Sequence, residues 1–316
     1  MTGAKAVSAD DPRAPVGSAP GGRSLAVIYN PRAGAGRAAR RLAAVLAELR
    51  RLSLAHTVHP TGSLRHAAEL ASAAAAAGEV AVAFGGDGLI GAVAHALRAT
   101  DGVLGVLPGG RGNDIARALG LPLDPVAACA VLADGAIAEL DLGTVGERTF
   151  VGIASCGLDS EANRIANRTR LVRGRLVYAY AALRALARWR EATFVVSADG
   201  GPRQRVTGYT VAVANCSCYG GGMRIAPSAR PDDGLLDVVI VGHTPRLRFL
   251  ALLPTVFRGA HVRLGFVSVL RARSVRVEAS RPLALYADGD PIAELPATLS
   301  VAPAAVRVIV PGGALR

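Results

Sequence analysis

From residue 24 onward the apolar positions fall into short runs separated by glycine, proline and polar clusters. SLAVIYNP (24–31), VAVAF (80–84) and VLGVLP (103–108) are apolar nearly throughout, the pattern of strands buried on both faces. SLAHTVHP (53–60) reads as a further strand. Between them the spacing predicts helices: one from AGAGRAA to about residue 52, RHAAELASAAAAA (65–77), LIGAVAHAL after GGDG, and IARALGL after GGRGND. Strands alternating with helices predict an open, mostly parallel sheet covered on both faces. Such sheets bind ligands beyond the carboxyl ends of their strands. Three glycine-rich turns fall there, at 33–36, 85–88 and 109–112.

After about residue 140 the pattern changes. AELDLGTV, RTFVGIASCGLD, ATFVVSA, RVTGYTVAVANC, LLDVVIVG, VRLGFVSVL, SVRVEAS and LALYADGD are short and β-branched, with turns between them. They predict a mostly antiparallel β-sandwich, interrupted by helical stretches at roughly 160–190 and 246–260. The expected organisation is a disordered tail over 1–23, an α/β domain over 24–142 and a β-rich domain over 143–316. The last strand is able to return to the first domain, and an active cleft is expected between the two.

Composition narrows the chemistry. Hydrophobic residues make up 51% and charged residues 19%, enough apolar content for a folded chain. The net charge of +12 fits either an arginine-rich soluble protein or one whose partner is negative, such as a nucleotide, an anionic lipid surface or nucleic acid. Lys5, in the tail, is the only lysine. A Walker-type phosphate loop, a protein-kinase strand lysine and a pyridoxal Schiff base each need a lysine inside the fold, so these are excluded. Phosphate must instead be held by backbone N–H groups, arginines and metal. The four cysteines (Cys129, Cys156, Cys216 and Cys218) lack zinc-ligand spacing and suit a reducing compartment. Residues 1–22 contain no apolar leader core, and the longest apolar helix-like run, FLALLPTVF (249–257), is too short to span a bilayer.

GDGLIG fits G-x-G-x-x-G, and GAGRAA (34–39) fits its looser form. A dinucleotide site also needs an acid about twenty residues after the first motif to hold the ribose. The chain there reads HTVHPTG, which argues against hydride transfer. The motifs say more in combination. Asn30-Pro31 with Gly34 and Gly36, GGDG at 85–88 and PGGRGNDIARALGLP at 108–122 occur in order in the α/β half. ANCSCYGGGMRIAPSARPDDGLLDVVIV (214–241) and ADGDP (287–291) follow in the β half. From about residue 24 to the end, this set closely resembles the diacylglycerol kinase catalytic family, which includes bacterial lipid kinases and sphingosine kinases.

The resemblance implies an N-terminal domain like those of NAD kinases and phosphofructokinases. It also implies ATP and Mg²⁺ as cofactors, and a lipid hydroxyl presented at the cleft. The acceptor would be a diacylglycerol-like or sphingoid lipid. Nucleotide contacts carry over to Asn30, Pro31, Gly34, Thr61, the Gly85-Gly86-Asp87-Gly88-Leu89 loop, Asn113 and Asp114. Asp87 would lie at the catalytic centre. Asp290 stands where relatives have the glutamate of a D-G-E segment, and Asp87 and Asp290 rank nearly equal as general base. In ARPDDGLLD, Asp233 and the carbonyls of Arg230 and Leu235 would hold a Mg²⁺ ion. A plain capped turn is the alternative there, and a helix cap is the alternative for Asn113 and Asp114.

Three positions depart from the family pattern: Leu89 for the usual threonine, Gly91-Ala92 for N-E, and Arg111 for another threonine. With no lysine in the fold, Arg111, Arg32 and Arg37 are candidate phosphate clamps. Residues 164–190 hold eight arginines and no acid, with Tyr178, Tyr180 and Trp189 among them. That composition suits either a solvated helix face or a cationic surface on an anionic membrane, while nothing resembles a nucleic-acid module. The expectation is therefore a cytoplasmic lipid kinase, peripheral at the inner face of the cell membrane, with a homodimer suggested by relatives. Two alternatives stand beside it. The losses at residues 89, 91, 92 and 111 motivate a catalytically weakened nucleotide- or lipid-binding regulator. An NAD-kinase-like enzyme with a soluble acceptor is the other.

Overall fold

The computed structural model describes residues 23–169 and 176–315. The tail expected over 1–23 lies outside them except for Arg23, whose guanidinium donates to the Leu132 carbonyl at 2.8 Å. The first half runs β1 (Leu25–Tyr29), α1 (Ala33–Arg51), β2 (His56–Pro60), α2 (Leu64–Ala76), β3 (Val80–Gly85), α3 (Asp87–Leu97), β4 (Val103–Pro108), α4 (Asp114–Ala118) and α5 (Pro125–Asp134). Strand β1 pairs in parallel with β2 and β3, and β3 with β4, giving the order β4-β3-β1-β2. Period-two alternation decides which face each residue serves. Leu25 and Val27 pack with Val45 and Leu49 of α1, whereas Ala26 and Ile28 pack with residues of α2 and α3. Each such fully buried Val, Leu or Ile stabilises the fold by about 1.5–3 kcal/mol.

The second half continues through β5 (Ala136–Val145), β6 (Arg148–Phe150), β7 (Ile153–Gly157), α6 (Leu158–Arg168), α7 (Leu176–Arg188), β8 (Ala192–Ala198) and β9 (Gln204–Ala214). It closes with β10 (Leu236–Gly242), α8 (Arg246–Leu252), β11 (Val267–Ala272), β12 (Ser274–Ala279), β13 (Ala284–Ala287), β14 (Asp290–Glu294) and β15 (Ala297–Val310). Its strands pair antiparallel in the order β14-β13-β7-β9-β8-β12-β15; β10 and β11 branch from β9, and β5 and β6 from β15. The helical content predicted over 160–190 is divided between α6 and α7, and residues 170–175 lie outside the described residues.

Strand β15 joins the halves. Ala297–Ser300 pair with β12 of the β-rich half, and Arg307 and Val308 pair in parallel with Val103 and Leu104 of β4. Between them its register with β5 shifts from Ala302 to Val306, and Ala304 takes a positive φ of 49°. Asp141 on β5 fills the gap left by that bulge. One carboxylate oxygen accepts the Ala304 N–H at 2.8 Å, and the other accepts the Gly234 N–H at 2.7 Å. Its own N–H donates to the Pro231 carbonyl at 2.7 Å. Three distant chain segments thus meet on one buried aspartate.

Candidate active site

The glycine-rich turns meet at the carboxyl ends of β3 and β4. The Gly109 N–H donates to the Gly85 carbonyl at 2.7 Å. A Cβ added at Gly110 would lie 2.5 Å from the Gly86 Cα, so the two loops touch backbone to backbone and no side chain fits between them. Asn113, at φ 54°, accepts the Gly110 N–H through Oδ1 at 2.8 Å and closes the loop; it makes no side-chain cap on α4. Arg37 reaches from α1 to the Gly110 carbonyl at 3.0 Å. A crevice of about 180 Å³ borders these loops, lined by Arg37, Arg41, Phe84, Pro108, Gly109 and Asn113.

Four carboxylates surround the loops from both halves. Asp87 opens α3, and its Oδ1 accepts the Ile115 N–H at 3.0 Å; Oδ2 accepts no hydrogen bond among the described residues. Asp114 reaches across to the β-rich half and accepts the Gly221 and Gly222 N–H groups at 2.8 and 2.7 Å. Gly220, Gly221 and Gly222 all have positive φ (62°, 85° and 103°), which side-chain-bearing residues rarely adopt. Burial, with the nearby Asp87 charge, raises the Asp114 pKa. Asp288 accepts the N–H groups of Val151, Gly152 and Ile153 at 2.8, 3.0 and 3.2 Å. Asp290 is exposed, and its Oδ2 lies 3.8 Å from where a Gly88 Cβ would project. The two carboxylates singled out from the sequence therefore flank the same glycine elbow, one from each half. Arg148 donates to the carbonyls of Pro291 and Ile292 at 3.2 and 3.1 Å, which anchors the strand that Asp290 begins.

Burial pushes the Asp288 carboxyl up to about 7, aided by the Asp87 charge and opposed by its three N–H donors. In the unfolded chain that proton leaves near pH 4, so the folded protein holds it longer. Stability from this group is full below about pH 4 and falls as pH rises towards about 7. Denaturation midpoints should fall across that window in the wild type and fall less in Asp288→Asn. An unchanged slope in the variant would remove Asp288 as the source.

The remaining sequence candidates divide. Asn30 accepts the Arg32 N–H at 2.9 Å, and Pro31 lies beside it after β1. Gly34 falls inside the first turn of α1 rather than in a free glycine loop. Arg111 and Arg32 are exposed. Thr61 is buried and spends its hydroxyl on the Ser63 carbonyl at 2.8 Å, shaping the entry to α2. Leu89 corrects an expectation: its side chain is buried beneath the end of β3, where its Cδ2 would lie 2.6 Å from a Gly85 Cβ. Only its backbone belongs to the loop, and the threonine-to-leucine departure becomes a packing feature.

The turn expected to hold Mg²⁺ carries arginine partners. Asp233 accepts the Leu235 N–H at 3.1 Å through one oxygen and the Arg271 guanidinium through the other. Arg271 also contacts the buried Asp237 at 3.3 Å, and Arg230 pairs with Asp232 at 3.0 Å. Arginine charge already balances this turn, and both Asp233 oxygens are engaged. The carboxylate expected to join the Arg230 and Leu235 carbonyls in holding Mg²⁺ is thus paired with arginine in this structure. No group of three or more His, Cys, Asp or Glu among the described residues has the placement of a metal site.

Trp189 likewise differs from the interfacial aromatic expected. It is buried, donates Nε1–H to the Gly208 carbonyl at 3.3 Å and lies 4.7 Å beneath the Arg281 guanidinium. Tyr178 belongs to a stretch whose side chains are not among those described. Sequence reading missed Asp288, Asp141 and Arg148. Asp288 is the first acid of ADGDP, two residues before Asp290; Asp141 and Arg148 carry no local signal.

Residues 24–145 match the family model of the diacylglycerol kinase catalytic domain. Residues 152–310 match that of the YegS C-terminal NAD kinase beta sandwich-like domain. The chain is 38% identical over 295 residues to a diacylglycerol kinase of Mycobacterium tuberculosis, covering 91% of this chain and 95% of that protein. The fold is similar to the crystal structure of a diacylglycerol kinase from Bacillus anthracis, with a TM-score of 0.73, 19% identity and coverage of 93% and 98% of the two chains. It is also similar to an NAD kinase from Archaeoglobus fulgidus solved in complex with ATP, with a TM-score of 0.50, 15% identity and coverage of 93% and 96%.

Proposed function

The chain belongs to the diacylglycerol kinase catalytic-domain family and is a lipid kinase, and from that premise we propose that it transfers the γ-phosphoryl group of ATP to a hydroxyl of a diacylglycerol-like lipid. The observation that carries this reading is the approach of Asp290 from the β-rich half to the glycine elbow that bears Asp87. The abutting loops, closed by Asn113, offer backbone N–H groups to phosphate oxygens without a lysine. Arg37 and the exposed Arg111 add positive charge. A Mg²⁺ ion accompanying ATP would neutralise phosphate charge, and Asp87 Oδ2, which accepts no hydrogen bond among the described residues, would be an oxygen ligand for it.

Asp290 is the general base. Its carboxylate accepts the acceptor O–H proton as that oxygen bonds to the γ-phosphorus; the bond from phosphorus to the β–γ bridging oxygen breaks, and ADP leaves. Asp87, with Oδ1 fixed by Ile115, keeps the nucleotide end in register. Asp114 and Asp288 are positioning residues, because their oxygens are taken by backbone N–H groups of the β-rich half. Asp114 ties the two walls of the cleft together, and Asp288 fixes the turn between β13 and β14 against Val151–Ile153 within the β-rich wall. Most of the rate gain would come from positioning and charge rather than from covalent chemistry.

The test is incubation with γ-labelled ATP, Mg²⁺ and vesicles carrying diacylglycerol, with sphingosine and NAD as parallel acceptors. Label is expected in phosphatidic acid. Label in NADP instead would favour a soluble acceptor. ATP binding without transfer to any acceptor would favour a regulatory homologue.

A further inference from the structure

A second feature lies in the segment that connects β10 to β11. From Val238 to Val277 the chain carries no Asp or Glu but seven arginines: 246, 248, 258, 263, 271, 273 and 276. Helix α8 and the 3₁₀ turn that follows it, Leu253–Arg258, are rich in Leu, Phe and Val, yet none of their residues is fully buried. Leu247 is 82% exposed and Phe257 47%. Large apolar side chains left in water this way usually mark a contact surface.

The segment is also firmly seated. Phe249 stacks on Tyr209 with ring centroids 4.4 Å apart, and the Tyr209 hydroxyl donates to the Thr244 carbonyl at 2.7 Å. Arg246 donates to the Trp189 carbonyl at 2.7 Å, and the Arg224 N–H donates to the Val256 carbonyl at 3.0 Å. The contacts fix one side of the segment and leave Leu247 and Phe257 outward, with Arg258 and Arg263 exposed beside them. Through Arg246 and Trp189 the segment adjoins the end of α7, which exposes Leu183 (54%) and Arg184.

We infer that Arg246–Arg263 is an interfacial docking element that inserts Leu247 and Phe257 into an anionic lipid bilayer while the flanking arginines bind its headgroups. Exposed Leu and Phe ringed by arginine match the division between acyl boundary and phosphate layer. A second copy of the chain fits less well, because a two-fold contact sets this patch against itself and places arginine against arginine with no acid to offset it. The inference deepens the lipid-kinase reading and rests on its membrane-borne acceptor. It also moves the membrane contact from the predicted 164–190 stretch to a different element.

The experiment is sedimentation with phosphatidylglycerol–phosphatidylcholine vesicles, without ATP and without diacylglycerol. The wild type should bind these and bind pure phosphatidylcholine far more weakly. Leu247→Ser with Phe257→Ser should lower binding at least about tenfold. Arg258→Glu with Arg263→Glu should abolish the preference for the anionic lipid. Both variants alter exposed side chains and should keep the wild-type melting temperature and turnover on dispersed short-chain diacylglycerol. Undiminished vesicle binding in both would overturn the inference. So would a shift from dimer to monomer in light scattering with vesicle binding intact. Because no step requires phosphoryl transfer, failure of the acceptor reading would leave this result interpretable.

Discussion

Asp290→Asn is expected to lower turnover about 10²- to 10⁴-fold, the range that a positioned general base contributes. The carboxylate accepts no hydrogen bond among the described residues and sits exposed at the start of β14, over Gly88. The asparagine fits the same space but cannot take the acceptor proton. Its cost should therefore fall on kcat, with the Michaelis constant for ATP and the melting temperature near wild type. Asp87→Asn should behave differently, because one Asp87 oxygen holds Ile115 and the other accepts no hydrogen bond among the described residues, which suits it to the nucleotide's cation. That variant is expected to weaken ATP binding as well as turnover. Steady-state kinetics with varied ATP separates the two. Wild-type kcat in Asp290→Asn would transfer the base role elsewhere, and Asp87 is the next candidate.

The largest stability effect is expected at Asp141. Asp141→Leu would leave the Ala304 and Gly234 N–H groups unpaired in a buried site. Hydrogen bonds to a charged group contribute about 1.5–3 kcal/mol each, so a loss of about 3–5 kcal/mol is expected. Burial raises the Asp141 pKa, and the N–H groups of Ala304 and Gly234 oppose that rise. Asp141→Asn keeps one acceptor and should cost less than the leucine. Urea unfolding of the two variants measures the difference. A loss below about 1 kcal/mol for the leucine would mean that water replaces the lost acceptor.

The alternation of apolar runs with helical spacing gave the parallel half, because a strand buried on both faces and an amphipathic helix each leave a local trace in sequence. The glycine elbows were legible for a similar reason. Gly86 and Gly110 are required where two backbones touch, Gly85 where the Leu89 side chain packs, and ADGDP stood out as acids within a turn. What escaped is long-range. Nothing near Asp114 points to Gly221, 107 residues away, and nothing near Asp141 points to Ala304, 163 residues away. Leu89 reads as part of the glycine loop because it follows Gly88 directly, yet the first turn of a helix sends successive side chains in different directions and this one points into the core. Trp189 was grouped with the arginines around it, but only tertiary packing reveals that its ring is covered.

Strand β15 constrains how the enzyme moves. It is hydrogen-bonded at one end into the β-rich half and at the other beside β4, so the two lobes share a spine. A large clamshell rotation of the kind that closes many kinases would have to shear that spine. Its one irregular step, between Ala302 and Val306, is pinned by Asp141. The gap between the glycine elbow and Asp290 is thus preset by the backbone, and an acceptor hydroxyl would have to travel to the elbow rather than wait for the lobes to carry one to the other.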